Sequence, residues 1–112
     1  MQEHLRILLV YKSHNLSIQQ FREYILHLVN SKNPDILLGD FNINALQTPA
    51  PSIVTDLYNE NYALVVTKPT HIKGNLIDHI YISNSLISML DFEITTVTIY
   101  YSDHAAVSLR FL

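Results

Sequence analysis

Apolar positions in this chain fall into short continuous runs and into helical stripes, and their alternation predicts the elements. Residues 5–11 hold the run Ile7, Leu8, Leu9, Val10 and Tyr11, which suits a buried strand. Ile18, Phe21, Ile25 and Leu28 then recur at helical spacing and predict a helix with one apolar stripe. Ser17 opens it, since Ser17 and Gln20 have the separation of a capping box, in which side chains satisfy amides of the first turn. Asn33-Pro34 ends it, because proline cannot continue a helix and its predecessor avoids the helical region. Residues 35–39 form a second short apolar run that stops at Gly39-Asp40. Residues 48–52 carry two prolines and read as a loop. Ser52 is expected to cap a shorter helix with Ile53, Val54, Leu57 and Tyr58 on its apolar face.

The second half is mostly strand-like. Residues 62–67 and 76–83 read as strands, and 84–90 as a helical turn. Residues 92–101 are rich in β-branched and aromatic side chains. From 105 to 111, Val107, Leu109 and Phe111 alternate with Ser108 and Arg110, the pattern of a half-buried strand. The predicted class is α/β (α+β).

Composition narrows the chemistry. The chain has 112 residues, the size of one domain, and 48% are hydrophobic, so it builds a core. Cysteine is absent, which removes disulfides, thiolate metal sites and cysteine nucleophiles together. No apolar run is long enough to cross a membrane. None makes a signal peptide, which needs roughly 7–15 apolar residues and a small-residue cleavage site. An intracellular location, nuclear or cytoplasmic, is therefore expected. The formal net charge is −3 and there is no Lys/Arg cluster, so any nucleic-acid contact has to be local or metal-mediated.

Three polar clusters stand at the ends of apolar strands: Gly39-Asp40-Phe41-Asn42, Asp78-His79 and Ser102-Asp103-His104. Strand ends hold side chains rigidly while the adjoining loops open a cleft. Carboxylates are hard oxygen ligands suited to Mg²⁺, and a protonated histidine stabilises negative charge on a phosphoryl oxygen. The set fits metal-assisted phosphoryl chemistry better than a serine or cysteine nucleophile. Any one cluster alone reads first as structure, since Asp and Asn after a strand are ordinary turn formers and caps. The remaining histidines take structural readings. His4, His14 and His27 fit no ligand spacing, His71 and His79 flank the motif strand, and His79 should face away from Asp78 by strand alternation. The Tyr100-Tyr101 pair reads as packing.

The ordered set resembles the endonuclease/exonuclease/phosphatase superfamily. Ile36-Leu37-Leu38-Gly39-Asp40-Phe41-Asn42 is similar to its strand–GDxN signature. Thr70-His71, followed by Asn75-Leu76-Ile77-Asp78-His79-Ile80-Tyr81-Ile82-Ser83, is similar to its T…DH stretch. Tyr101-Ser102-Asp103-His104-Ala105-Ala106-Val107 is similar to its terminal SDH motif, with Ala106 where the family often has proline. Val10-Tyr11-Lys12-Ser13 resembles the tyrosine-bearing strand. The pattern looks most like endonuclease domains of non-LTR retrotransposons.

That resemblance implies roles. Asp40 would orient the attacking water, and Asn42 would help to hold it and the phosphate. His104 would contact the scissile phosphate, Asp78 would fix its orientation, and Tyr11 would reach the phosphate with its phenol. Asp103 would lie at the metal, Mg²⁺ or Mn²⁺, and Thr70 would be a lesser phosphate contact. The family fold is a four-layer α/β sandwich of two similar halves. Residues 1–112 would supply the carboxy-terminal half, one mixed, mainly antiparallel sheet with two helices on one face. The upstream strands that carry a metal-binding glutamate would be missing, since only ten residues precede Tyr11. The implied function is metal-dependent hydrolysis of phosphodiesters in DNA, impaired by that loss. The alternatives are an inactive remnant acting as a binding or assembly module, or a member that cleaves phosphomonoesters or phospholipids. The sheet face opposite the helices, formed by alternate positions of 76–83, 92–101 and 105–111, is expected to be uncovered. The expected partner is then a second copy or the missing amino-terminal half.

Overall fold

Leu8 and Val10 point to one side of the first strand and Ile7, Leu9 and Tyr11 to the other, and this alternation organises the molecule. The computed structural model describes residues 4–99 and 102–112. In chain order the elements are β1 (Ile7–Tyr11), α1 (Ile18–Lys32), β2 (Ile36–Asp40), α2 (Ser52–Asn59), β3 (Tyr62–Leu64), β4 (Asp78–Ser83), α3 (Asn84–Met89), β5 (Phe92–Val97) and β6 (Ala106–Phe111). The first four strands form one mixed sheet in the order β1-β2-β4-β3. β1 and β2 are parallel, as α1 between them requires, and the other pairs are antiparallel. The class is α+β. β5 and β6 pair only with each other, as a separate two-stranded sheet.

Register fixes which residues share a face. Leu8, Leu37, Tyr81 and Leu64 stand in one row across all four strands. That face is covered by α1 and α2, whose Phe21, Ile25, Val29, Ile53 and Leu57 are buried against Leu37, Tyr81 and Phe41. Burial of this kind stabilises by roughly 1.5–3 kcal/mol for each large side chain. Ser17 caps α1, its hydroxyl accepting from the Gln20 amide at 3.1 Å, and Asn33 closes it in the left-handed conformation. The buried stripe of α1 runs through Val29, while Leu28 is half-buried and Ile18 lies exposed in the first turn. On α2, Tyr58 faces solvent, and the N-cap is Pro51 rather than Ser52. Arg22 of α1 and Asp56 of α2 form a two-point ion pair, with contacts of 2.7 and 3.2 Å, that ties the helices together.

The opposite face carries Ile36, Ile80 and Ile82, and here the structure differs from expectation. The β5–β6 hairpin folds over it, packing Phe92, Ile94, Val107, Leu109 and Phe111 onto that row. Most of the second face is therefore covered by the chain itself. The apolar side chains left in water are those of β1, which the hairpin does not cover: Ile7, Leu9 and Tyr11. β5 ends at Val97, and Tyr100 and Tyr101, including the packing expected of that pair, lie outside the described residues. No described helix is long and apolar enough to cross a membrane.

Candidate functional site

The site grows out of one row of the uncovered end of the sheet. Tyr11 pairs with Asp40 across β1 and β2, and Asp40 pairs with Asp78 across β2 and β4. Two carboxylates directly opposite one another repel, so the row needs a positive group nearby. His104 supplies it from the loop before β6. Its Nδ1 donates to Asp78 Oδ2 at 2.8 Å, and its Nε2 lies 3.9 Å from Asp40 Oδ2. That hydrogen bond raises the His104 pKa above its ordinary 6.5. Partial burial opposes the rise, and the charges of Asp78, Asp40 and Asp103 add to it.

Each residue of Gly39-Asp40-Phe41-Asn42 has its own task. Gly39 adopts φ 149°, and a Cβ there would sit 1.7 Å from the Val10 carbonyl oxygen, so only glycine lets β1 and β2 close up beside the site. Asp40 turns its Oδ1 to the Asn42 amide at 3.0 Å, which orients the carboxylate. Phe41 plugs the core, edge-on to Phe21 and stacked on His79. Asn42 takes the left-handed conformation, and its side-chain amide donates to the Lys12 carbonyl.

Thr70, expected as a lesser phosphate contact, has its hydroxyl engaged within the protein. It is 1% exposed, and its hydroxyl accepts from the amides of Ile77 and Asp78 at 3.1 and 3.0 Å. Its carbonyl takes the Ala105 amide at 2.7 Å, while Ile72 donates to the Asp103 carbonyl at 2.7 Å. Thr70 thus links the start of β4 to the backbone just after His104. The same backbone contacts bring His71 beside His104, with ring centroids 5.4 Å apart.

A cleft of about 520 Å³ opens on this row. Tyr11, Asp40, Asn42, Asp103 and His104 line it, joined by His14, His71 and Lys73, whose place there the sequence pattern did not reveal. His71 and Lys73 come to the cleft through the 70–75 and 103–105 backbone contacts, and His14 through the loop that follows β1. Asp40, Asp78 and His104 each present one ligand atom, all within 4.8 Å of one another. Among the described residues this is the one cluster that could hold a metal ion, and exposed Asp103 lies outside it. A depression of about 420 Å³ at the other end of β4, lined by Asn30, Asn33, Asn61 and Asn84 among others, carries no such cluster.

His79, the sequence neighbour of Asp78, faces the other way. It is buried, with Nε2 against the carbonyl oxygens of Ile43 and Leu76 and Nδ1 2.8 Å from the Tyr81 hydroxyl. Carbonyls only accept, so Nε2 carries the proton and Nδ1 accepts from Tyr81. Burial lowers the His79 pKa, the two carbonyl contacts offsetting part of the effect, and it raises that of Tyr81. No protein-family model matches the chain, and no curated protein matches it.

Proposed function

We propose that this chain carries the acid–imidazole part of a divalent-cation-dependent phosphodiesterase site of the endonuclease/exonuclease/phosphatase type, with DNA as substrate. The observation that carries this is His104 held between two opposed carboxylates at the mouth of a cleft. Protonated His104 would donate from Nε2 to a phosphoryl oxygen and stabilise the charge that develops there. Asp78 holds the ring in the orientation that leaves Nε2 free for this. Asp40, steadied by the Asn42 amide, would orient a water for attack, and Tyr11 and Asn42 line the approach of the phosphate. Lys73, His14 and His71 on the rim suit the neighbouring phosphates of a polyanion.

The donor set fits a hard ion in part. The carboxylates of Asp40 and Asp78 would hold Mg²⁺ or Mn²⁺, with Asp103 at the rim. His104 contributes a ligand only when it is deprotonated. Such an ion polarises the phosphoryl oxygen when it is bound. Mg²⁺ would complete its octahedron with water and substrate oxygens, and two carboxylates, one of them already bonded to His104, would hold it weakly, so turnover by the chain alone should be slow. The test is nicking of supercoiled plasmid with Mg²⁺ or Mn²⁺. Slow, metal-dependent nicking should fall by on the order of 10²-fold in His104→Ala. Nicking that His104→Ala leaves intact, or none with either metal, overturns the proposal.

A further inference from the structure

Three side chains of β1 share an unusual position. Ile7, Leu9 and Tyr11 are 58%, 76% and 68% exposed, and they lie on the same face as Ile36, Ile80 and Ile82, which are buried beneath the hairpin. Among the described residues β1 is also an end strand. The Arg6 carbonyl accepts from Ile36 and the Lys12 amide donates to Asp40, so the even-numbered residues bond inward to β2. In a regular ladder the amides of Ile7, Leu9 and Tyr11 then point outward. The same three residues thus combine exposed apolar side chains with an unpaired backbone edge.

The other strand edges are protected in ways that β1 is not. β3 has three residues, and the outer face of the hairpin carries Glu93, Arg110, Thr95 and Ser108. Short edges and charged side chains are the usual defences against association. β1 has no charge between Arg6 and Lys12. Both flanking cations turn away from the row. Arg6 reaches the Lys32 carbonyl, and Lys12 is buried with its ammonium on the Ser13 carbonyl.

We infer that β1 is the interface of a two-fold homodimer, in which the row Ile7, Leu9 and Tyr11 packs on the same row of a second copy. The row is neutral and self-complementary. A two-fold axis through Leu9 sets leucine against leucine and each Ile7 near the other copy's Tyr11, an aromatic–aliphatic pairing of the favourable kind. Three side chains this exposed, one of them aromatic, leave on the order of 400 Å² of apolar surface per copy. Two copies, with flanking Leu5 and the backbone edges, reach roughly the 1,000 Å² that a specific interface requires. That is the lower end of the range, so the dimer should dissociate in the micromolar region. Because one long edge is undefended, assembly closes at two copies and does not extend into fibres. Tyr11 belongs to both the row and the cleft, so the second copy would form part of one cleft wall.

Sedimentation velocity of the whole chain from ~1 to ~200 µM tests this. A monomer–dimer equilibrium is expected, with no larger species. Leu9→Lys should raise the dissociation constant by at least ~100-fold. At a concentration below the dissociation constant it should leave the far-ultraviolet circular dichroism and the urea midpoint close to those of wild type, because Leu9 is mostly exposed in the monomer. Tyr58→Lys, an equally exposed position on α2, should leave the equilibrium as it is. A wild-type monomer across that range, open-ended aggregation, or a dimer insensitive to Leu9→Lys would each overturn the assignment. None of these outcomes depends on nuclease activity.

Discussion

Replacing Gly39 by alanine probes the point at which the backbone makes room for the site. An added Cβ would lie 1.7 Å from the Val10 carbonyl oxygen and 2.7 Å from its carbon, both main-chain atoms of the neighbouring strand. Contacts under 3.0 Å force movement, and no side chain can rotate away. β1 must therefore leave β2 by more than an ångström at the Val10–Gly39 pair. Alanine at φ 149° adds backbone strain of about 1–3 kcal/mol. Disturbing two ladder hydrogen bonds adds about 0.5–1.5 kcal/mol each. The sum, roughly 2–6 kcal/mol, is a large part of the ~5–15 kcal/mol that holds a domain together. Urea unfolding followed by circular dichroism should show this loss. The imidazole signals of any folded fraction should report a lower His104 pKa as Asp40 moves. A stability change under ~1 kcal/mol with the His104 titration unaltered would refute the close-approach reasoning.

Two further outcomes follow from the hydrogen bonds. Thr70→Val strips the partner from the Ile77 and Asp78 amides, so a loss of about 2–4 kcal/mol is expected; Thr70→Ser should restore most of it in the same urea titration. His79 is held neutral with a folded pKa below its ordinary 6.5, so its unfolded form binds the proton more readily. The stability it contributes is complete above pH 6.5 and is lost as the pH falls through the lowered folded value. Melting temperatures of wild type and His79→Phe should therefore converge on acidification, and a gap independent of pH would count against a buried neutral imidazole.

Much of the fold was legible because its signals are local. Ser17 with Gln20, Asn33-Pro34, and the alternation of Val107, Leu109 and Phe111 each needed only a short stretch of chain, and each appears in the structure, except that the Gln20 side chain meets the Ser17 hydroxyl rather than an amide. What alternation cannot tell is which surface covers the apolar side. The pattern of β5 and β6 fits strands of the main sheet as well as a hairpin folded over it, and the choice depends on long-range packing against Ile36, Ile80 and Ile82. Helical spacing left a similar ambiguity, since Leu28 and Val29 both follow Ile25 at permissible distances. The Gly39-Asp40 and Asp78 strand ends were visible as clusters, but their pairing was not, because it depends on the β2–β4 register. The bonding of Thr70 was hidden for the same reason: its hydroxyl partners lie seven and eight residues on and become neighbours only when the 70–78 loop closes.

The two histidines nearest Asp78 bear most directly on how such a motif should be read. His79 follows it in sequence, yet strand alternation sends the ring into the helix-covered core, where burial lowers its pKa and Tyr81, Ile43 and Leu76 satisfy both nitrogens. His104 is 26 residues away, yet it is the imidazole that Asp78 binds and whose pKa it raises. A single β-pleat thus turns the His79 ring away from Asp78 into the core, where its pKa is lowered, and leaves Asp78 to bind a more accessible ring whose pKa is raised. It also gives the charged ring a reason to be there. Asp40 and Asp78 are held opposite each other by register, and like charges so placed are destabilising unless a cation stands between them. His104 meets that need in part when protonated, and a divalent ion on the remaining carboxylate oxygens would meet it further. Opposed carboxylates gain from any positive partner, and by the same electrostatics Asp40, Asp78 and His104 form a group that could hold a metal ion.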